Sequence, residues 1–459
     1  MHLIADDRRG SVHNQILPRS RATGSMTSGV QDGSDGAQSF ADVACTVCGC
    51  VCDDLRVTVA AGRVAAVEGA CQLAAPWFAA LAESLSRPAA TIDGVPAPID
   101  QAVERAAEIL RRSRAPLVWG LSRSSTAGQR AAVRLAEQLG ATIDTTASVC
   151  HGPSIMAIQQ VGESSCSLGE VRNRADLVIF WGADPVESHP RHFERYSVDA
   201  CGMLTPHGRA DRTVVVVDSE PTATSALADL FIRVPPDRDF EVLWALRLIL
   251  RGIELPQSAD VGVPHDVLAQ LVRRLAGCRY GAVFFGLGLA QRGAGHANVE
   301  ALLRLVAELN DHTRFTARRL RIPGDVAGAD SVLCWMTGFP FAVNLARGYP
   351  RYNPGEYSAN ELLERGEVDA CLFVGSEALA DLSPAARRAV EGMPTIALDY
   401  PHIEPPFAAT VQLTTAIYGI HAPGTAYRMD EIPIPLRQLL PASYPTDDEV
   451  LAAIFARLA

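Results

Sequence analysis

The chain of 459 residues contains no lysine, so that all 41 of its basic residues are arginine. Coding bias toward GC-rich codons and high alanine accounts for part of this, yet every fixed positive charge must then come from a guanidinium. No stretch approaches 18 consecutive apolar residues, which excludes a membrane span. No basic stripe offsets a formal charge of −11, which argues against broad nucleic-acid binding. Residues 1–40 are rich in Ser, Gly, Asp, Arg and Gln and lack an apolar signal-peptide region. They read as a disordered leader or an over-extended gene start, with Met26 as an alternative beginning. Eleven cysteines without an export signal imply a cytoplasmic protein with reduced thiols.

What the chain does have is an ordinary globular composition, 48% hydrophobic and 20% charged, at a length that supports two to four domains. Cys45, Cys48 and Cys52 are spaced C-x2-C-x3-C, and Cys71 follows nineteen positions later, after a predicted hairpin over 55–67. Thiolates grouped in this way bind a soft metal centre, either an iron–sulfur cluster or a zinc ion. Zinc ribbons more often show two C-x2-C pairs, so the uneven spacing favours a 4Fe–4S cluster. The bland alternative is a set of small buried hydrophobes. With Cys50 included, five of the eleven cysteines lie within 27 residues, which weighs against it.

Past residue 80, short apolar strands alternate with amphipathic helices. Strands are expected at 116–121, 177–181, 213–218, 282–285, 370–374 and 395–399, and helices at 100–112, 126–139, 240–251, 298–309 and 384–391. The pattern predicts a multidomain α/β fold of doubly wound parallel sheets with a small N-terminal cysteine module. The expected divisions are 1–40 (leader), 41–80 (cysteine module), 81–270 (α/β domain carrying Cys150), 271–400 (second α/β domain) and 401–459 (C-terminal segment covering a cofactor). Polar and glycine-rich loops follow the strands. Gly182 and Asp184 come after 177–181, Asp218 and Glu220 close 213–218, and Gly286 and Gly288 follow 282–285. Any such sheet needs turns there, but three loops with acidic residues suited to hydroxyls or a guanine edge favour a nucleotide-bearing cofactor. His189 and His192 flank Arg191, whose planar fork suits a phosphate; surface capping is the plain alternative.

Cys150-His151 follows the apolar approach 141–144. A thiolate beside an imidazole serves as a nucleophile with its base, or as a metal ligand with a proton carrier. The surrounding Thr145-Thr-Ala-Ser-Val-Cys-His-Gly-Pro-Ser154 resembles the metal-ligand segment in the B-type subunit of formylmethanofuran dehydrogenase, a molybdopterin-dependent oxidoreductase. The resemblance runs from about Ala44 to the C-terminus. It includes Cys45-Thr-Val-Cys-Gly-Cys-Val-Cys-Asp-Asp54, Phe180-Trp-Gly182, His189-Pro-Arg-His192, Asp211-Arg-Thr213, Thr337-Gly-Phe-Pro340, Arg347-Gly-Tyr-Pro-Arg-Tyr-Asn-Pro-Gly355 and Gly424-Thr-Ala-Tyr-Arg-Met-Asp430.

The resemblance implies that Cys45, Cys48, Cys52 and Cys71 ligate a 4Fe–4S cluster. Cys150 would be the ligand of a molybdenum or tungsten ion held by two pterin guanine dinucleotides, and His151 the neighbouring acid/base. Arg428 would lie over the guanine end of a pterin. It implies interconversion of carbon dioxide and formate, an oxidoreductase activity, with an arginine holding the carboxylate at a position the sequence does not single out. Partner subunits are implied as well: an amidohydrolase-type A, a C and a formyltransferase-type D subunit, which serve a methanofuran-like carrier. Related enzymes place a basic residue directly after the fourth cysteine, where this chain has Gln72 and no arginine until Arg87. A second branch of the family, in bacterial formyltransferase/hydrolase complexes, uses this subunit as a redox-silent scaffold without cofactors. That branch is the alternative expectation. A zinc-ribbon regulator or a thiol hydrolase explains one motif each and leaves the others unexplained.

Overall fold

The computed structural model describes residues 36–81 and 87–458, so the expectations for 1–35 lie outside the described residues. Residues Ala37–Ala459 form one compact unit. The expected leader ends earlier than 40, because Gln38–Val43 is a strand, paired antiparallel to Leu55–Ala60, which pairs in turn with Arg63–Glu68.

Two larger sheets follow. In the first, five strands (Leu230–Arg233, Thr213–Asp218, Leu177–Trp181, Tyr280–Phe285 and Arg314–Arg319) lie side by side in that order, all parallel. Numbered along the chain this is 3-2-1-4-5, the order of a doubly wound sheet whose switch point separates Leu177–Trp181 from Tyr280–Phe285. In the second sheet the parallel centre is Thr142–Thr145, Pro116–Gly120, Ala370–Val374, Thr395–Asp399 and Val411–Thr414, an order of 2-1-3-4-5. Short antiparallel pairs flank it: Val343–Asn344 with Arg351–Tyr352 at one edge, Ala90–Ile92 with Val95–Pro96 at the other.

Leu177–Trp181 and Pro116–Gly120 are buried along their whole length, as unbroken apolar strands must be when helices cover both faces. The helix Ile99–Arg112 shows how the sequence builds those faces. It buries Ala102, Val103, Ala106, Ala107 and Leu110 at three- and four-residue spacing and turns its arginines to water. The helix Thr126–Leu139 stops at Gly140, whose φ of 63° suits the left-handed cap.

The expected division at 270/271 falls inside a sheet. Tyr280–Phe285 pairs with Leu177–Trp181, so the five-stranded sheet is inserted between Thr142–Thr145 and Ala370–Val374 of the other. Burial decides this: Tyr280–Phe285 has no exposed face and completes the core of the strand beside it. The segment after 400 also differs from a cofactor cover. Val411–Thr414 enters the second sheet, and the helix Asp447–Leu458 packs on Thr126–Leu139 and Ile99–Arg112. No helix among the described residues is long and apolar enough to cross a membrane.

Candidate functional site

Cys45, Cys48, Cys50, Cys52 and Cys71 line a single cavity, closed on one side by Arg191. The loop that carries the first four is held at its base by the Cys45 N–H donating to the Cys52 carbonyl at 2.8 Å, and by Val51 N–H donating to Cys48 at 3.1 Å. All eleven cysteines are free thiols. Among the described residues no three His, Cys, Asp or Glu side chains converge at single-ion spacing, so the thiols stand around the cavity and do not meet at a point. A hydrogen bond from Cys50 lowers the Cys52 thiol to about 6 against the cost of burial, helped by the charges of Arg195 and Arg191. Burial pushes Cys45 far up.

Positive charge therefore reaches this cavity without a residue next to Cys71. Gln72 turns away to donate to the Val186 carbonyl at 3.4 Å. Arg191 and Arg195 arrive from the loop and short helix after Leu177–Trp181 and pair with Asp54 and Asp53 at the end of the cysteine loop. The Arg191 fork is occupied by Asp54 at 2.7 and 2.8 Å. It belongs to the cysteine cavity in this structure, and the two histidines beside it are engaged elsewhere.

His189 is 2% exposed, accepts from Ser188 at Nδ1 (2.9 Å) and donates from Nε2 to the Arg321 carbonyl at 2.9 Å. The same carbonyl accepts the Gly49 N–H at 3.0 Å. That approach depends on glycine twice. A Cβ on Gly49 would lie 2.3 Å from the Arg321 oxygen, and one on Gly324 would lie 2.0 Å from the Thr46 oxygen. The cysteine loop is thus seated backbone to backbone on the segment Arg321–Gly324. His192, fully buried, packs edge-on against Phe284 at 4.5 Å and bonds Ser197, a core role with its pKa driven down to about 3 by burial.

The charge of Arg321 acts on the second thiol, Cys150. Cys150 sits where the turn after Thr142–Thr145 meets the helix Gly152–Val161. Burial raises its thiol to about 11 against the opposing charge of Arg321. Arg321 is 2% exposed and pairs with Asp330, which also accepts the Thr145 hydroxyl at 2.7 Å. His151 Nε2 donates to the Leu320 carbonyl at 2.9 Å, and its Nδ1 accepts from Ser154 at 3.3 Å. Burial, then Arg321 and Arg319, push its pKa well below the usual value. Both nitrogens of the imidazole are committed to hydrogen bonds. Sequence reasoning did not single out Arg321. The signal lay in Arg318-Arg319-Leu-Arg321, three arginines at and just beyond the end of the strand Arg314–Arg319.

The predicted cofactor loops meet at the C-terminal edge of the five-stranded sheet. Gly182, Gly286 and Gly288 lie at its switch point, where they pack on one another. Gly288 N–H donates to the Gly182 carbonyl at 3.0 Å, and a Cβ on Gly182 would fall 2.5 Å from the Leu289 nitrogen. Asp184 accepts from the Ala223 and Thr224 amides at 3.3 and 3.0 Å. Asp218 accepts from Ser219 N–H, and Glu220 is an exposed partner of Arg233. Arg428 is tied to Asp430, away from these loops. A second cavity, not predicted, opens at the C-terminal edge of the other sheet, lined by Arg123, Glu377, Asp399 and Asp447 among others. Arg123 also donates to the Thr46 carbonyl at 3.0 Å and so ties that edge to the cysteine loop.

Comparison with known proteins settles the family. The B-type subunit of tungsten-containing formylmethanofuran dehydrogenase 2 from Methanocaldococcus jannaschii is 39% identical over 426 residues, 91% of this chain and 98% of that protein. The chain belongs to the family of formylmethanofuran dehydrogenase B-type subunits. The protein of the same name from Methanococcus maripaludis is 36% identical over 91% of this chain and 98% of its own length. The B-type subunit of the formyltransferase/hydrolase complex from Methylorubrum extorquens is 27% identical over 63% of this chain and 75% of its own. Among solved structures, that complex with methylofuran bound matches with a TM-score of 0.66 and 26% identity, covering 81% of this chain and 98% of that one. Acetylene hydratase from Pelobacter acetylenicus shares the fold, with a TM-score of 0.64 at 12% identity over 91% of this chain and 69% of that one. No family model matches the chain. The resemblance read from the motifs is borne out, as is a mixed α/β fold with parallel sheets.

Proposed function

We propose that the chain is the B-type subunit of a formylmethanofuran dehydrogenase-type complex and interconverts carbon dioxide and formate at a molybdenum or tungsten ion held by two pterin guanine dinucleotides. One observation carries this reading: a single residue links the two thiol sites, since the Arg321 carbonyl seats the cysteine loop while its guanidinium charge acts on Cys150. The residues present fit the implied groups. Soft thiols around a cavity suit a 4Fe–4S cluster on Cys45, Cys48, Cys52 and Cys71. Cys150 follows the end of a parallel strand, and each sheet offers a switch point, one per dinucleotide.

When bound, the metal–pterin group supplies the two-electron chemistry and the cluster passes electrons singly. The chain does the rest. Arg321, fixed by Asp330, presents a permanent charge for a carboxylate beside Cys150. His151 takes up a proton at Nδ1 only by releasing Ser154, so its basicity is gated by that hydroxyl. Arg191 and Arg195 offset the charge of the thiolates where no lysine exists. Amidohydrolase-type A, C and formyltransferase-type D subunits, with a methanofuran-like carrier, complete the pathway, because the sequence carries no formyl-transfer motif of its own.

A second reading, a redox-silent scaffold, is favoured by the match to the formyltransferase/hydrolase complex over 98% of that chain. The higher identity to the tungsten-containing relatives, 39% against 27%, supports the redox reading. Elemental analysis of the native complex separates them. Roughly four irons and one Mo or W per chain, the stoichiometry of one cluster and one metal–pterin site, is expected. Cys150→Ala should abolish carbon dioxide reduction while leaving the iron in place. Absence of Mo and W from an active complex, or unchanged activity in Cys150→Ala, would overturn the redox assignment.

A further inference from the structure

Five thiols line the cysteine cavity, and the implied cluster takes four of them. Cys50, the fifth, is 0% exposed. The bland account of such a residue is a small buried hydrophobe. Its neighbours speak against that account. The Cys50 thiol is hydrogen-bonded to the sulfurs of both Cys48 and Cys52, and its amide N–H donates to the Cys48 sulfur as well. The backbone is bent to bring this about. Val51 N–H donates to the Cys48 carbonyl at 3.1 Å, which closes a turn with Gly49 and Cys50 at its centre. Val51 has a φ of 36°, on the positive side that a β-branched residue rarely adopts. Two anchors hold the turn in that form: the Arg321 carbonyl accepts the Gly49 N–H at 3.0 Å, and the Cys50 carbonyl accepts the Tyr196 hydroxyl at 3.4 Å. A strained residue persists only where its surroundings over-determine it, and here the outcome is a buried thiol within reach of two others.

We propose that Cys50 is a built-in hydrogen-bond donor to the Cys48 and Cys52 sulfurs, a positioning residue that raises the reduction potential of the 4Fe–4S cluster without ligating it. The inference rests on the cluster of the proposed function and not on its molybdenum or tungsten site. Reduction brings one electron into the cluster and more negative charge onto the ligand sulfurs. No bond to Cys50 forms or breaks, and its proton stays on its own sulfur. A donor aimed at those sulfurs stabilises the reduced state more than the oxidised one. Full burial keeps water from competing for that S–H.

The test is a redox titration, with dithionite as reductant, of the full-length chain loaded with iron and sulfide, followed by EPR of the reduced cluster. Cys50→Ala is expected to keep about four irons per chain. At a fixed potential its reduced-to-oxidised ratio should fall by about threefold or more, roughly 28 mV for a one-electron couple. Cys50→Ser restores a donor and should hold that ratio within about twofold of wild type. An unchanged ratio in Cys50→Ala overturns the proposal, and so does an equal fall in both variants, which altered packing alone would give. Loss of iron from Cys50→Ala overturns it as well, because Cys50 would then be a ligand or a prop for the fold. A wild-type chain that takes up no cluster ends the proposal together with the cluster assignment. Should the native complex carry no Mo or W while the cluster potential still depends on Cys50, the redox assignment falls and this inference stands. Should the wild-type complex reduce carbon dioxide while Cys50→Ala leaves the potential unaltered, the reverse holds.

Discussion

Gly49→Ala tests the seating of the cysteine loop most directly. The added methyl would stand 2.3 Å from the Arg321 carbonyl oxygen and 3.2 Å from Met429 Cβ, where ordinary contact begins near 3.4 Å. The loop or the strand end must therefore give by about 1 Å. The oxygen is not free to swing, because His189 Nε2 holds it at 2.9 Å. Lifting the loop endangers two hydrogen bonds, Gly49 N–H to Arg321 O at 3.0 Å and Met429 N–H to Gly49 O at 2.8 Å. At about 1 kcal/mol each, plus about 1–3 kcal/mol for overpacking a site without slack, the loss is about 3–5 kcal/mol. Equilibrium urea unfolding of the purified chain measures it. Gly277→Ala, with no atom within 4 Å of the new methyl, is the control and should stay within about 0.5 kcal/mol of wild type. A Gly49→Ala chain as stable as that control would refute the claim that this contact seats the loop.

His192→Phe should make the protein less acid-sensitive. The folded pKa is about 3 against 6.5 for the free side chain, so below pH 6.5 only the unfolded state takes the proton, and stability falls with pH. From pH 7 to 5 that contribution is about 2 kcal/mol, to be seen as a gain of the variant relative to wild type in paired melts at the two pH values. A difference independent of pH would mean that the ring titrates alike in the folded and unfolded states. Arg212 bonds the carbonyls of Ala175, Val198, Ala200 and Arg172 and the Thr205 hydroxyl. Arg212→Gln strands most of those acceptors and should cost about 3–5 kcal/mol, with Arg212→Lys recovering little, since an ammonium lacks the planar fork. Wild-type urea midpoints in either variant would remove Arg212 from the structural core.

Strands that bury both faces were legible in the sequence because nothing but apolar residues can fill them: 177–181, 213–218, 370–374 and 395–399 appear with the ends expected. Arg314–Arg319 escaped notice because its outward character is polar while its environment is not. It ends in Arg318 and Arg319, with Arg321 just beyond, and their partners are carbonyls, Glu163 and Asp330, of which only Asp330 is near in sequence. The domain division failed for a related reason. A return from one sheet to another leaves no mark on local periodicity, whereas the pairing of Tyr280–Phe285 with Leu177–Trp181 is fixed only by what each buries.

The candidate site divides along the same line. Cys45 to Cys71 and Cys150-His151 announce themselves, because thiols in close sequence carry their chemistry in their spacing. Charge does not. Gln72 leaves a gap beside Cys71 that reads as a missing electron bridge as long as only nearby residues are considered. Folding brings Arg191 to that cavity from 120 positions along the chain and Arg321 to Cys150 from 171. A guanidinium is suited to this, since its charge survives burial and its fork can be tied by carboxylates such as Asp54 and Asp330. In a chain without lysine, the basic groups of the site are therefore set by tertiary structure. The absence of a neighbour to Cys71 is weak ground for reading the cysteine cavity as silent.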